Sequence, residues 1–354
     1  MKRLVMATHS SRVAPPSQSM LIARKLSKAG AEIVIVGCGD TGLARLLDTA
    51  LRGLIETIRS DTVVVDVFGH RAFVYEALSI LYGRLLGRRV VAVLRGGWLG
   101  DLARKHPRLV RGILSLPHTR IAPHQYLVDE LRGMEIPVER LIPNFIEPES
   151  YGYRERFQPQ PRFLFLRGTH AIYNPELCLC AFARVQRRFP DASLTLAGGG
   201  PIEHLQRLVE TLHLRNIRFP GLVPKAQIPN LAQEHDIYVQ SNRTENMPVT
   251  VLEMWASGLP VVGTAVGGLP YLVRDGHNGL LVPNEDEAAL AAACLRILDE
   301  PGLGVSLARN GRASLTAHTW SAVADQWTEV LGLPKGSLSP VANVELAGST
   351  TAAS

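Results

Sequence analysis

The sequence predicts an α/β protein built from two doubly wound domains that face each other, and three observations carry this prediction. Its 354 residues are too many for one domain at about 100–150 residues each. Short apolar, β-branched runs bounded by Gly or Pro alternate with helical patterns, which is the rhythm of βαβ units and a parallel sheet. That rhythm occurs twice, on either side of a polar, proline-bearing stretch at residues 149–161.

In the first half the expected strands are Arg3–Thr8, Glu32–Val36, Thr62–Phe68, Arg89–Leu94, Arg120–Ala122 and Arg140–Ile142, with helices at Gln18–Ala29, Leu43–Ser60 and Phe73–Leu86. Past the polar stretch come strands Phe163–Arg167, Ser193–Ala197, Ile217–Phe219, Asp236–Gln240 and Pro260–Thr264. Helices are expected at Pro175–Arg187, Glu203–His213, Ala226–His235, Pro248–Ser257 and Glu287–Asp299. Ala322, Val323, Trp327, Val330 and Leu331 recur at helical spacing and predict a last amphipathic helix. The expected units are residues 1–155, 156–315, a helix at 316–333 packing back on the first unit, and a disordered tail at 334–354, rich in small residues without period.

Four cysteines, scattered and without a C-x-x-C pair, exclude a disulfide framework and fit a reducing cytoplasm. The start reaches His9 and Ser10 too soon for a signal peptide, and no run approaches 18 apolar residues, so a cytoplasmic protein without a membrane span is expected. The net charge of +6 is uneven: residues 1–155 carry 22 basic and 15 acidic side chains, or +7. Eight of those basic residues lie between 84 and 111 against Asp101 alone, which reads as one basic patch at the crevice edge, suited to an anionic acceptor or membrane surface. The patch has Trp98 as its one aromatic, so no nucleic-acid partner is expected.

The densest chemistry lies in SNRTENMPVTVLEMWASGLPVVGTAVGGLP, residues 241–270. Glu245 falls in a loop after a strand, and Pro248 suits the first turn of the helix that follows. The unpaired amides of Val249, Thr250 and Val251 then make an anion site at the sheet's C-terminal edge. Glu253 sits about 1.5 turns into the helix. Upstream, Arg167 ends a strand, and its planar fork suits phosphate oxygens. Gly198 and Gly199 end another strand in LTLAGGGP, where a backbone without side chains permits close approach of a ligand, and Gly221 and Leu222 form a turn in IRFPGLVP.

The E-x7-E spacing, with GLPVV and GG-x-P after it, resembles the family 4 (group 1) glycosyltransferases of the two-domain GT-B fold. FLRGTHAIYNPELCLCAFARV and IPNFIEPESY resemble further segments of that family. The resemblance implies two Rossmann-like domains and a retaining, metal-independent transfer from a nucleotide-diphosphate sugar, UDP- or GDP-linked, to a sugar or lipid-linked acceptor, in cell-surface polysaccharide or glycolipid synthesis. It implies no further cofactor. Carried over, Glu245 contacts the sugar, Asn246, Met247, Pro248, Val249 and Thr250 the diphosphate region, Glu253 the ribose, Arg167 the diphosphate, and the Gly221–Leu222 loop the base. Two departures stand out. A Lys expected before a helix is replaced by Tyr173 and Asn174, and Arg95 stands where the family has His. Arg95 either grips a phosphate or carboxylate in a catalytic role, or pairs structurally with Asp101 or Glu76.

Two other readings are open. IVIVGCGDTG carries Gly37, Gly39 and Gly42 after a strand and mimics a dinucleotide fingerprint, the signature of an NAD-dependent oxidoreductase, though it follows the second strand and not the first. A non-catalytic nucleotide-sugar-binding protein is the other. No metal site is expected: the histidines are dispersed, Cys178 and Cys180 diverge on a helix, and D-x-D is absent.

Overall fold

The structure, a computed structural model, describes residues 3–10, 17–39, 41–96 and 98–334, with the side chains of His9 and Ser10 outside the description. The expected tail lies almost wholly outside the described residues. The first domain contains β1 (Arg3–Ser10), α1 (Gln18–Lys28), β2 (Glu32–Cys38), α2 (Gly42–Leu47), a π turn (Asp48–Gly53), α3 (Leu54–Ile58), β3 (Thr62–Val67) and α4 (Phe73–Leu85). It continues with β4 (Arg89–Leu94), α5 (Leu99–Lys105), α6 (Pro107–Leu114), β5 (Thr119–Ala122), α7 (Gln125–Arg132) and β6 (Arg140–Leu141). The second contains β7 (Arg162–Leu166), α8 (Pro175–Arg188), β8 (Ser193–Ala197), α9 (Glu203–Thr211), β9 (Ile217–Gly221), α10 (Ile228–Gln233) and β10 (Ile237–Gln240). After these come α11 (Val249–Ser257), β11 (Val261–Thr264), α12 (Leu269–Leu272), β12 (Leu280–Val282), α13 (Glu287–Asp299), α14 (Leu303–Ser314) and α15 (Trp320–Leu331).

Each domain has one all-parallel six-stranded sheet, ordered β2-β1-β3-β4-β5-β6 and β12-β11-β10-β7-β8-β9. The second sheet has the doubly wound 3-2-1-4-5-6 order and the first the related 2-1-3-4-5-6 order, with helices over both faces. The strands are runs such as Thr62–Val67, buried along its whole length, as a sheet covered on both sides requires. Five helices that the periodicity did not predict, α5, α6, α7, α12 and α14, complete the layers. α5 and α6 are short and divided at His106–Pro107, which hides their period.

The chain passes between the domains twice, and the passages run side by side: Ile146 forms a parallel bridge with Thr319. α15 packs on the first sheet, with Val323, Trp327 and Leu331 in one core with Leu4, Met6 and Phe145. The polar stretch expected as a linker is anchored on the second domain. Arg154, Arg156 and Arg162 all pair with buried Asp236, and Arg156 also donates to four backbone carbonyls at 2.8 Å, those of Arg154, Ala232, His235 and Ser257.

The basic stretch 84–111 is not one patch. Arg84 and Arg88 stand before β4 and Arg89 begins it, at the sheet edge opposite the crevice, whereas Arg104, Lys105, Arg108 and Arg111 follow it on α5 and α6. Several are already paired: Arg104 with Asp101 and Glu130, and Arg111 with Glu135. A parallel sheet sends the two ends of a strand to opposite edges, so sequence proximity across β4 does not become surface proximity.

Candidate active site

In the second sheet β7 and β10 are neighbours, and the chain leaves them toward opposite sides, to β8 and to β11. That reversal opens a crevice at their C-terminal ends, where ligands bind in such sheets. Arg167 directly follows β7, and the loop after β10 carries Asn242 and Glu245. The two predicted residues meet there as an ion pair, with side chains 16% and 11% exposed.

Glu245 is held tightly. Its Oε2 also accepts from Gln240 Nε2 at 3.2 Å and Asn242 Nδ2 at 2.7 Å, while Oε1 accepts the Asn246 amide at 3.0 Å. Burial is the largest single influence and disfavours the Arg167 charge, but Glu245, Tyr238 and Tyr173 together outweigh it and raise the guanidinium's pKa above the ordinary arginine value. Arg167 packs over Tyr173, with Cζ 5.8 Å from the ring centroid. Its Nε is buried and has no hydrogen-bond partner, as is Thr169 Oγ1 two residues on. Buried donors are rarely left unpaired unless a ligand or water meets them.

α11 begins beside this pair. Pro248 caps it in extended conformation, Met247 and Asn246 are buried before it, and Val249 and Thr250 form its first turn. The helix ends at Gly258 with φ +80°, where a Cβ would come within 2.4 Å of the Arg154 carbonyl oxygen. Glu253 is 1% exposed, accepts the Tyr151 hydroxyl at 2.9 Å, and forms an ion pair with Lys225. Burial pushes the Lys225 ammonium down to about 8. Lys225 follows β9 in the loop that holds Leu222, so a cation reaches the site although Tyr173 and Asn174 supply none. Asn174 instead bonds Glu285 at 3.1 Å. Sequence reading missed Lys225 and Tyr151, which reach Glu253 from distant segments that no local pattern shows, and Gln240 and Asn242, whose bonds to Glu245 within one strand and loop depend on side-chain orientation.

Gly198 and Gly199 differ from each other. A Cβ on Gly198 would lie 2.0 Å from the Arg167 carbonyl oxygen, so its bareness serves strand packing; at Gly199 the nearest atom, Leu222 Cβ, is 4.0 Å away and the position is open. Gly221 has φ +71° with open space around it.

Arg95 is buried and spent. Nε donates to Asp66 at 2.6 Å, Nη1 to Asn144 at 3.0 Å and Nη2 to Ser19 at 3.0 Å. Neither expected partner is used, since Asp101 pairs with Arg104 and Glu76 accepts the Phe68 and Gly69 amides. Three of the guanidinium's five N–H groups thus serve side chains of the first domain, the structural role that the sequence left open for Arg95, with other partners than Asp101 or Glu76. Its carbonyl oxygen accepts Asn246 Nδ2 at 2.7 Å and so ties the domains together across the crevice. Tyr271 makes a second tie, donating to Asp129 at 3.3 Å with its ring 5.4 Å from that of His124.

The GCGDTG motif begins on the last two residues of β2, an edge strand, and its Gly37 and Cys38 amides donate to Asp48 at 2.8 and 3.0 Å. A carboxylate stands where a pyrophosphate would need those amides, so the dinucleotide reading fails. Among the described residues no group of three His, Cys, Asp or Glu side chains is placed to hold a metal ion.

Residues 160–300 match the family model described as Glycosyl transferases group 1. The chain is 29% identical over 175 residues to the D-inositol 3-phosphate glycosyltransferase of Corynebacterium urealyticum, covering 47% of this chain and 41% of that protein. It is 29% identical over 206 residues to the phosphatidyl-myo-inositol mannosyltransferase of Mycobacterium tuberculosis (strain H37Rv), covering 55% and 54%. The chain thus spans about half the length of the curated relatives it matches. In three dimensions it resembles Anabaena HepE, solved in complex with UDP and glucose, with a TM-score of 0.78 over 94% of this chain and 100% of that one. At 15% identity this is a likeness of fold, the GT-B architecture.

Proposed function

We propose, from a second domain that belongs to glycosyl transferases group 1, that the chain moves a sugar from a nucleotide-diphosphate sugar to an acceptor hydroxyl. The observation that carries this reading is the unmet Nε of buried Arg167 beside the first turn of α11. A buried cation with a spare donor, next to helix amides at a switch point, suits a diphosphate.

In this reading Arg167 and the amides of Val249 and Thr250 take the negative charge that grows on the leaving diphosphate as the anomeric bond breaks. Glu245, braced by Gln240 and Asn242, contacts the sugar, and Glu253 exchanges its Lys225 and Tyr151 partners for the ribose hydroxyls. Transfer proceeds with retention, the diphosphate helping to deprotonate the acceptor hydroxyl on the same face. The base is uracil or guanine, met at the Gly221–Leu222 loop. The acceptor, a sugar or lipid-linked alcohol, enters from the first domain.

A thermal-shift panel of UDP-, GDP- and ADP-sugars tests this. A ligand at 100 times its Kd raises stability by about 2.7 kcal/mol, and transfer or donor hydrolysis should be lost in Glu245→Gln. Absence of stabilisation by every sugar nucleotide overturns the proposal, and stabilisation without turnover favours a binding protein.

A further inference from the structure

β3, β4 and β5 are neighbouring parallel strands of the first sheet, and the segments that follow them form one wall of the crevice. Each of those segments carries aromatic rings: His70 after β3, Trp98 after β4, His124 and Tyr126 after β5. The rings meet in pairs. His70 and Trp98 have centroids 5.8 Å apart, and Tyr271 of the second domain lies 5.4 Å from His124 and 6.0 Å from Tyr126. Trp98 and Tyr271 are 47 and 52% exposed.

Both exposed rings stand close to the predicted sugar contact. Trp98 lies three residues past Arg95, whose carbonyl oxygen accepts Asn246 Nδ2 at 2.7 Å. Tyr271 lies three residues past Gly268, whose amide donates to the Glu245 carbonyl at 3.0 Å. Three extended residues reach about 11 Å at most, so each ring hangs within that span of a residue bonded to Glu245 or Asn246.

The polar groups beside these rings are mainly acidic. Gly100, two residues past Trp98, packs under Glu130 of α7, where a Cβ would run into the carboxylate. Arg104 donates to Glu130 Oε1 at 2.9 Å and also to Asp101, while Glu130 Oε2 is buried and has no hydrogen-bond partner. Asp129 accepts the Tyr271 hydroxyl and pairs with Arg132. Three acids thus answer two arginines, and this set has no cation left for a phosphate. An aliphatic chain would give the carboxylates no donor, and an acceptor left unmet is costly. A pyranose fits both parts of the wall. Its C–H groups form an apolar face that stacks on the negative π cloud of an aromatic ring, and its hydroxyls donate at the edge to carboxylates.

We propose that this wall is a saccharide site, in which Trp98 stacks on a sugar ring, Tyr271 flanks it from the second domain, and Asp101 and Glu130 accept its hydroxyls. That the saccharide is the acceptor rests on the sugar-transfer reading; that a saccharide binds here does not.

Of the four tryptophans, Trp255, Trp320 and Trp327 are 0, 9 and 2% exposed, so acrylamide quenching of the protein's fluorescence reads Trp98. The full chain, with and without UDP or GDP, is titrated with methyl glucoside, methyl mannoside and methyl galactoside, and with glycerol 3-phosphate as a small anionic alcohol. At least one glycoside should shield Trp98 from acrylamide, and glycerol 3-phosphate should not. The shielding should vanish in Trp98→Phe, where only buried tryptophans remain. With that glycoside as acceptor, its KM should rise about tenfold in Trp98→Ala, as loss of a stacking contact implies, and stay within about threefold of the parent in Trp98→Phe, the donor's KM serving as reference. Shielding by no glycoside, shielding by glycerol 3-phosphate alone, or an acceptor KM unmoved in Trp98→Ala overturns the proposal. Stabilisation by no sugar nucleotide, with shielding intact, overturns the transfer reading instead and leaves the saccharide site standing.

Discussion

Arg167 and Glu245 are 78 positions apart and form a buried ion pair, with the arginine's Nε still unmet. The pair sets the electrostatics of the crevice: the carboxylate holds the guanidinium through Nη2 and leaves Nε for a ligand. Arg167→Ala should lower kcat/KM by about two orders of magnitude or more, as removal of a charge-stabilising donor does. Arg167→Lys should restore only part of it, since an ammonium lacks the planar fork. Steady-state kinetics with the donor found in the thermal-shift panel check both.

Glu253 and Glu245 are expected to fail differently. Glu253→Ala should weaken nucleotide binding with kcat nearly kept, because ribose contacts serve ground and transition states alike. Glu245→Ala should chiefly lower kcat. Isothermal titration with the nucleoside diphosphate, set beside the kinetics, separates them; equal effects on both parameters count against the assigned roles.

The glycines after β8 are expected to divide. Gly198→Ala puts a Cβ 2.0 Å from the Arg167 carbonyl oxygen and should cost about 1–3 kcal/mol as an overpacking change. Gly199→Ala meets nothing closer than 4.0 Å and should leave the melting temperature within error. Calorimetry of the two variants tests the division.

Arg95 is expected to matter for stability. Asp66 is 1% exposed and accepts from Thr8, Ser19 and Arg95. Asp66→Ala leaves the guanidinium buried without its counter-charge and should cost about 3–5 kcal/mol. Urea unfolding measures it, and a loss under about 1 kcal/mol would contradict the bonding described.

Acid should loosen the contact between the domains. Burial, with a smaller contribution from His318, holds His124 at about 4, against an ordinary value near 6.5. The unfolded chain therefore binds the proton first, and stability is lost as pH falls from about 6.5 toward 4. His124→Asn keeps a side chain able to cap α7 and should flatten part of that acid limb in melting temperature against pH.

Much of this was legible in the sequence because the signals are local. Strands such as Thr62–Val67, the Pro248 helix start and the spacing of Glu245 and Glu253 depend on neighbours within a turn or two. The two-domain α/β class, the resemblance carried by E-x7-E and the choice of Arg167 all came from such signals. Strand order decided the rest. It placed β7 beside β10, so that Arg167 meets Glu245, and brought Lys225 from the β9 loop to Glu253. It divided the basic stretch at 84–111 between two sheet edges. Burial then bound Arg95 to side chains of the first domain and left Arg167 with a free donor. Periodicity reports which face of an element is apolar, but not which element lies opposite; partners from distant segments are chosen by sheet topology, and with them the charges that meet.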